Sequence, residues 1–198
     1  MKEILPGIHT WSVFSEQKGF DFNGYAIETG KGTVAIDPPD PNADGWKALD
    51  ALEPYEAVYV TNRNHSRAAA AFRDRYGVPV RMHEQDAERA EVDVNETLAG
   101  GETVAEGIEV VSVPGKSAGE IAFHVPARRA LVIGDLVIGV PAGELSTYPD
   151  EVIKDKDALQ RSAARLVELD FDALLLCDGQ PIPSGGRQKL REFVASSS

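Results

Sequence analysis

Seven residues, Thr61-Asn-Arg-Asn-His-Ser-Arg67, gather much of the chain's reactive chemistry in one short stretch. An apolar, β-branched run (Ala57-Val-Tyr-Val60) precedes them and a small-residue run (Ala68-Ala-Ala-Ala-Phe72) follows, the pattern of a strand, a loop and a helix. Such a loop presents its side chains at the end of a sheet. Asn62 and Asn64 carry neutral amides, poor ligands for zinc though acceptable for a hard cation such as calcium. Ser66 adds a hydroxyl, and Arg67 a permanent cation that can grip a carboxylate bidentately. Elsewhere Lys116 adjoins Ser117, a pair that becomes base and nucleophile where burial lowers the lysine pKa. Cys177 precedes Asp178 with no histidine beside it, which favours packing over thiol catalysis. Asp37 and Asp40 stand among Pro38, Pro39 and Pro41, and a rigid turn is a simpler account of them than a calcium loop.

The elements that must position these groups are strands interrupted by single helices. Strands are predicted at 24–28 and 33–37, joined by a turn through Gly30-Lys-Gly32, with one or two more within 1–14. A helix is expected over 43–52, from the spacing of Trp46, Leu49 and Leu52, then a strand at 56–61 and a helix at 67–76 stopped by Gly77. A short strand at 78–82 and a short helix near 84–90 follow. The second half reads as strands at 102–105, 108–113, 120–125, 130–133 and 136–139, a helix at 155–168, a strand at 172–177 and a helix near 185–194. Two mixed sheets packed face to face, with helices on both outer faces, satisfy that order. A doubly wound dinucleotide fold is set aside, because Gly30-Lys-Gly32 has the wrong spacing and no helix after it.

The chain has 198 residues, 42% hydrophobic and 26% charged, enough for one substantial core. Its net charge of −12, spread along the chain, argues against nucleic acid and anionic membrane surfaces as partners. No window has the apolar length of a membrane span, and the N-terminus lacks the apolar run of a secretory signal. One cysteine excludes an internal disulfide and any multi-cysteine zinc site. A cytoplasmic address is therefore expected.

Five segments, in order, resemble the metallo-β-lactamase superfamily over the whole chain. Asn23-Gly-Tyr-Ala-Ile with Val34-Ala-Ile-Asp37-Pro looks like its opening hairpin, and Thr61 to Arg67 like its main ligand loop, T-H-x-H-x-D-H. Val113-Pro-Gly-Lys-Ser-Ala-Gly-Glu120 is similar to the P-G-H-S/T-x-G segment, Leu131-Val-Ile-Gly-Asp135 to the strand ending in G-D, and Cys177-Asp-Gly-Gln-Pro181 to the late G-H-G-x-P turn. The resemblance implies an αββα sandwich, an α/β fold of two mixed sheets, over residues 1–195, with 196–198 as a disordered tail.

It also implies one pocket at the sheet edge, formed by Asn62, Asn64, Ser66, Arg67, Lys116, Asp135 and Asp178. Of the positions where relatives carry metal ligands, only Asp135 keeps its type. Asp178 replaces an imidazole with a shorter oxygen donor. Arg67 and Lys116 are cations where cations would bind. Two positive and two negative side chains are expected to pair directly, Lys116 and Arg67 holding Asp135 and Asp178 in place of ions. His65 falls at the variable position of the loop, which implies that it points away from the site. His9, near Trp11, and His124, in a strand, read as structural, and His83 as a surface or helix-start residue.

No cofactor is expected; the alternative is zinc or another divalent metal at low occupancy on Asp135 and Asp178. The expected function is a non-metal binding or structural module with a small-molecule ligand. The alternatives are a weak hydrolase using one residual metal and, last, an enzyme using Lys116 with Ser117. Trp11 and Phe14, or Phe20 and Phe22, are expected either to pair two copies as a homodimer or to cap a sheet edge.

Overall fold

The computed structural model describes residues 1–196. Seven strands form the first sheet in chain order: β1 (Lys2–Leu5), β2 (Ile8–Ser15), β3 (Phe20–Glu28), β4 (Thr33–Ile36), β5 (Tyr55–Val60), β6 (Val80–His83) and β7 (Glu96–Leu98). The first four run antiparallel, and β4 to β7 are mutually parallel. The second sheet contains β8 (Thr103–Val104), β9 (Ile108–Ser112), β10 (Ile121–Val125), β11 (Ala130–Ile133) and β12 (Ala173–Leu176). Its last pair, β11 and β12, is parallel and the others are antiparallel.

Pleat parity explains the layering. Alternate side chains point to opposite faces of a strand. Tyr25, Ile27, Val34 and Ile36 meet Val110, Phe123, Val132 and Leu175 between the sheets. Their neighbours Ala26, Ala35, Val58 and Val60 face outward, under α1 (Ala43–Asp50) and α2 (Ala69–Tyr76). On the far side Leu131, Ile133, Leu174 and Leu176 pack under α4 (Lys156–Leu166) and α5 (Gly186–Ser196). A fifth helix, α3 (Glu84–Ala87), follows β6. Both faces of each sheet are covered, so the central strands are continuous apolar runs rather than alternating ones. The architecture is the four-layer αββα sandwich.

Several boundaries differ from the sequence expectation. Residues 136–139 form no strand and make only isolated bridges, Ile138 to Ser146 and Gly139 to Gly179. Gly139 is pressed instead against the turn after β12, donating to the Asp178 carbonyl at 3.0 Å and accepting from the Gln180 amide at 2.9 Å, an approach that a Cβ on Gly139 would block. Helix α2 begins at Ala69 rather than 67 because Arg67 adopts a left-handed backbone, φ 33°. Strand β7 is an addition: three residues, two of them exposed, carry no periodic signal. Ser196, expected in a tail, is helical; residues 197 and 198 of that expected tail lie outside the described residues.

Trp11 is not exposed. It stacks on Phe72 and donates its indole N–H to the Pro39 carbonyl at 3.0 Å, so it caps the helix-covered face. Of the four aromatics Phe14 is the exposed one, at 54%. Among the described residues no helix is long and apolar enough to cross a membrane.

Candidate functional site

Strand direction brings the reactive residues together. Asp37 follows β4, the 61–67 loop follows β5, Lys116 lies in the loop after β9, Asp135 follows β11, and Cys177 and Asp178 follow β12. Those strand ends share one edge of the sandwich, and hydrogen bonds cross between the sheets beside them. Asn23 donates its side-chain amide to the carbonyls of Leu176 and Gly179, at 2.9 and 2.7 Å, and Tyr25 donates its hydroxyl to Leu176 at 2.6 Å. Gly134 makes the close approach feasible: a Cβ there would lie 2.3 Å from Thr61 Oγ1.

His65 sits at the centre, contrary to the expectation that it points away. It is 2% exposed. Its Nδ1 is 2.6 Å from Asp37 Oδ2, and its Nε2 is 3.1 Å from Asp135 Oδ1 and 3.6 Å from Asp178 Oδ2. A carboxylate at each ring nitrogen favours two N–H donors, the imidazolium form. Burial and the nearby Arg67 push the His65 pKa down, but Asp135, Asp37 and Asp178 outweigh them and hold it well above the ordinary histidine value. The short 3₁₀ turn Arg63–His65 aims the ring inward, because Asn62 Oδ1 caps it by accepting from the Asn64 amide at 2.9 Å.

Asp37 anchors this arrangement from behind. Fully buried, it accepts the Thr61 amide at 2.8 Å and the Thr61 hydroxyl at 2.5 Å as well as the His65 ring. Its backbone is left-handed, φ 46°, although a proline follows. Such a conformation is uncommon for a non-glycine residue and least costly for Asp and Asn.

Lys116 and Asp135 meet at 2.5 Å, Nζ to Oδ2, and both are largely buried. Arg67 donates to Asp178 Oδ1 and, more weakly, to the Cys177 carbonyl at 3.3 Å, while its guanidinium carbon stacks 4.2 Å from the Phe22 ring centre. Tyr148 donates its hydroxyl to the other Asp178 oxygen. Burial opposes ionisation of both aspartates, but His65 chiefly, with Lys116 at Asp135 and Arg67 at Asp178, depresses their pKa values below the carboxylate range. To the expected Lys116–Asp135 and Arg67–Asp178 pairs the structure adds a third cation and a third carboxylate, His65 and Asp37, with His65 also within reach of Asp135 and Asp178.

Of the other expected pocket residues, Asn64 faces the cavity, its amide 3.5 Å from Asp135. Asn62 and Ser66 do not. Asn62 is wholly buried as the cap of the turn, and Ser66 turns back to the Arg63 carbonyl at 3.2 Å. Ser117 is not paired with Lys116: its hydroxyl donates to the buried Asp86 at 2.6 Å, and Asp86 also fixes the Gly119 and Arg63 amides. His83 is buried rather than on the surface; it caps α3 and meets the Ala99 carbonyl at 3.0 Å. His9 and His124 pair with Glu28 and Glu109 at strand positions.

Among the described residues two groupings could hold a metal ion by geometry: His65, Asp135 and Asp178, and behind them Asp37, His65 and Cys177, with ligand atoms in each within 4.8 Å of one another. The Cys177 thiol thus has a histidine near it after all, but burial, first, holds its pKa well above the ordinary thiol value. Beside the site Glu120 is fully buried, and among the described residues no side chain donates to its carboxyl oxygens, which have only a weak contact with the Leu136 backbone. Burial first, then the Asp135 charge, raise its pKa well above the carboxylate range, against the pull of His65, Lys116 and the Leu136 backbone. Neither Glu120 nor Tyr148 carries a sequence signal for this role. Tyr148 lies in an irregular stretch before Pro149, and Glu120 opens what reads as an ordinary strand.

The model of the metallo-beta-lactamase superfamily matches residues 1–197. The hydroxyacylglutathione hydrolases of Hyphomonas neptunium and Brucella anthropi are 28% and 25% identical, aligned over 97% and 84% of this chain. Those alignments span 77% and 63% of the relatives' own lengths. Among solved structures, the archaeal superfamily protein ST1585 of Sulfolobus tokodaii superposes with a TM-score of 0.78 at 16% identity, covering 96% of this chain and 85% of that one. TTHA1623, solved in a di-iron-bound form, gives 0.70 at 26% identity over 90% and 96%. With the landmark segments at the shared sheet edge and the family model spanning the chain, this protein belongs to the metallo-beta-lactamase superfamily.

Proposed function

We propose that the chain is a binding module whose carboxylates are held by protein cations where metal-dependent relatives use ions. The carrying observation is the Lys116–Asp135 contact at 2.5 Å beside the Arg67–Asp178 pair. A dinuclear centre does not fit these residues. Each carboxylate already has a cation, and the single imidazole has a carboxylate at both nitrogens. Two divalent ions would add four positive charges to a set balanced three against three. Dinuclear sites need more histidine and carboxylate donors than this edge supplies.

A second reading, a weak hydrolase with one divalent ion on His65, Asp135 and Asp178, is favoured only by the convergence of their ligand atoms. Binding there requires His65 to lose its proton and both carboxylates to release their partners. Elemental analysis of chain purified without chelator separates the two. Less than about one-tenth of a metal per chain is expected, unchanged by added zinc. The same sample should show no zinc-dependent cleavage of the thioester substrates named for the hydroxyacylglutathione hydrolases. One equivalent of tightly held zinc accompanied by thioester turnover overturns the metal-free reading in favour of the second.

A further inference from the structure

Above the ion pairs lies a cavity of about 260 Å³, lined by Lys18, Phe22, Asn64, Arg67, Tyr148 and Val152 over His65, Lys116 and the two aspartates. Its volume falls below the roughly 300 Å³ at which pockets for drug-sized ligands begin, so it suits a fragment-sized molecule. Three of its wall residues, Phe22, Tyr148 and Val152, present apolar surface. The floor carboxylates are saturated: Asp135 accepts from Lys116 and lies against His65, and Asp178 accepts from Arg67 and Tyr148.

Donors are left over. Lys116 spends one of its N–H groups on Asp135 and sits 5.4 Å from the Tyr148 ring centre. Lys18 lies over the same ring at 5.5 Å, and among the described residues its ammonium has no ion-pair partner. After the three pairs cancel, Lys18 is the cavity's single uncompensated charge, on a chain whose net charge is −12. A lysine at the rim over an aromatic wall, beside spare N–H donors, complements an acceptor of one negative charge.

We propose that this cavity binds a small monoanionic carboxylate with an apolar body, its carboxylate between Lys18 and Lys116 and its body against Tyr148, Phe22 and Val152. The assignment rests on the metal-free reading above, since an ion on Asp135 would displace Lys116. A phosphate monoester is disfavoured, because its second charge finds no second unpaired cation.

Isothermal titration calorimetry on chelator-treated chain tests this with 3-phenylpropanoate, its neutral amide 3-phenylpropanamide, and inorganic phosphate. The carboxylate should bind at least about tenfold more tightly than the amide or phosphate, and more weakly as salt rises. Lys18→Ala should lose at least about tenfold in affinity with an unchanged melting temperature, because Lys18 is exposed and supports no core contact. Equal binding of the amide, tighter binding of phosphate, an unchanged Lys18→Ala affinity, or no carboxylate binding at millimolar concentration overturns the assignment. Carboxylate binding that appears only after zinc loading overturns it together with the metal-free reading, whereas the other failures leave that reading intact.

Discussion

Lys116→Met lowers the unfolding free energy by about 3–5 kcal/mol at neutral pH, the usual cost of breaking a buried pair from one side. Asp135 is 1% exposed and keeps a shared hold on His65 and a long contact with the Asn64 amide once the ammonium is gone. Urea unfolding of both chains measures the loss. Asp135→Asn on the Lys116→Met background should recover much of it, because no carboxylate is then stranded; a loss below about 1 kcal/mol in the single variant would mark the contact as no stronger than a surface pair. The pH dependence has a definite sign at both ends. Asp135 and Asp178 have depressed folded pKa values, so the stability they add is present above the unfolded carboxylate range and is lost as pH falls through their folded values. His65 has a raised folded value, so its share is complete below the unfolded histidine pKa, near 6.5, and is lost as pH rises through the folded one.

The frame of this site is legible in the sequence because its landmarks are local. The Gly134-Asp135 strand end, the Pro114-Gly115 turn and the Thr61–Arg67 loop each announce a strand terminus, and charge is written in residue type, which marks Arg67 and Lys116 as cations. The direction in which a side chain points is not local. His65 turns inward because Asn62 caps a three-residue 3₁₀ turn and Asp37, 28 positions earlier, takes its Nδ1. That contact depends on the parallel register of β4 and β5, which no spacing within the loop encodes. Asn62 and Ser66 fail as pocket residues for the same reason: capping the turn spends their side chains on backbone. Tyr148 and Lys18 reach the cavity from loops, Tyr148 some 30 residues before the Asp178 that it bonds. The expected strand at 136–139 shows the converse error, an apolar run with strand composition that the turn after Asp135 converts to irregular packing.

Glu120→Gln is expected to stabilise the chain at neutral pH, the reverse of what deleting a buried charge partner does. Burial with no side-chain donor pushes the Glu120 carboxyl pKa up in the fold, favouring the neutral form, while in the unfolded chain it ionises near pH 4.3. Between those two values the folded chain binds the extra proton, so stability falls as pH rises, by about 1.4 kcal/mol per unit. Glutamine carries no such proton, and its gain over the parent should be small at pH 4, grow through pH 5 and 6, and level off once pH exceeds the folded Glu120 value. Urea midpoints of the two chains across that range measure the difference directly. If instead Glu120 is an anion that shares Lys116 with Asp135, glutamine removes a partner and the variant is the less stable chain at pH 7. The neutral form is the one consistent with the rest of the edge: His65, Arg67 and Lys116 already answer Asp37, Asp135 and Asp178 one for one, and a fourth buried carboxylate would have no cation left to meet it.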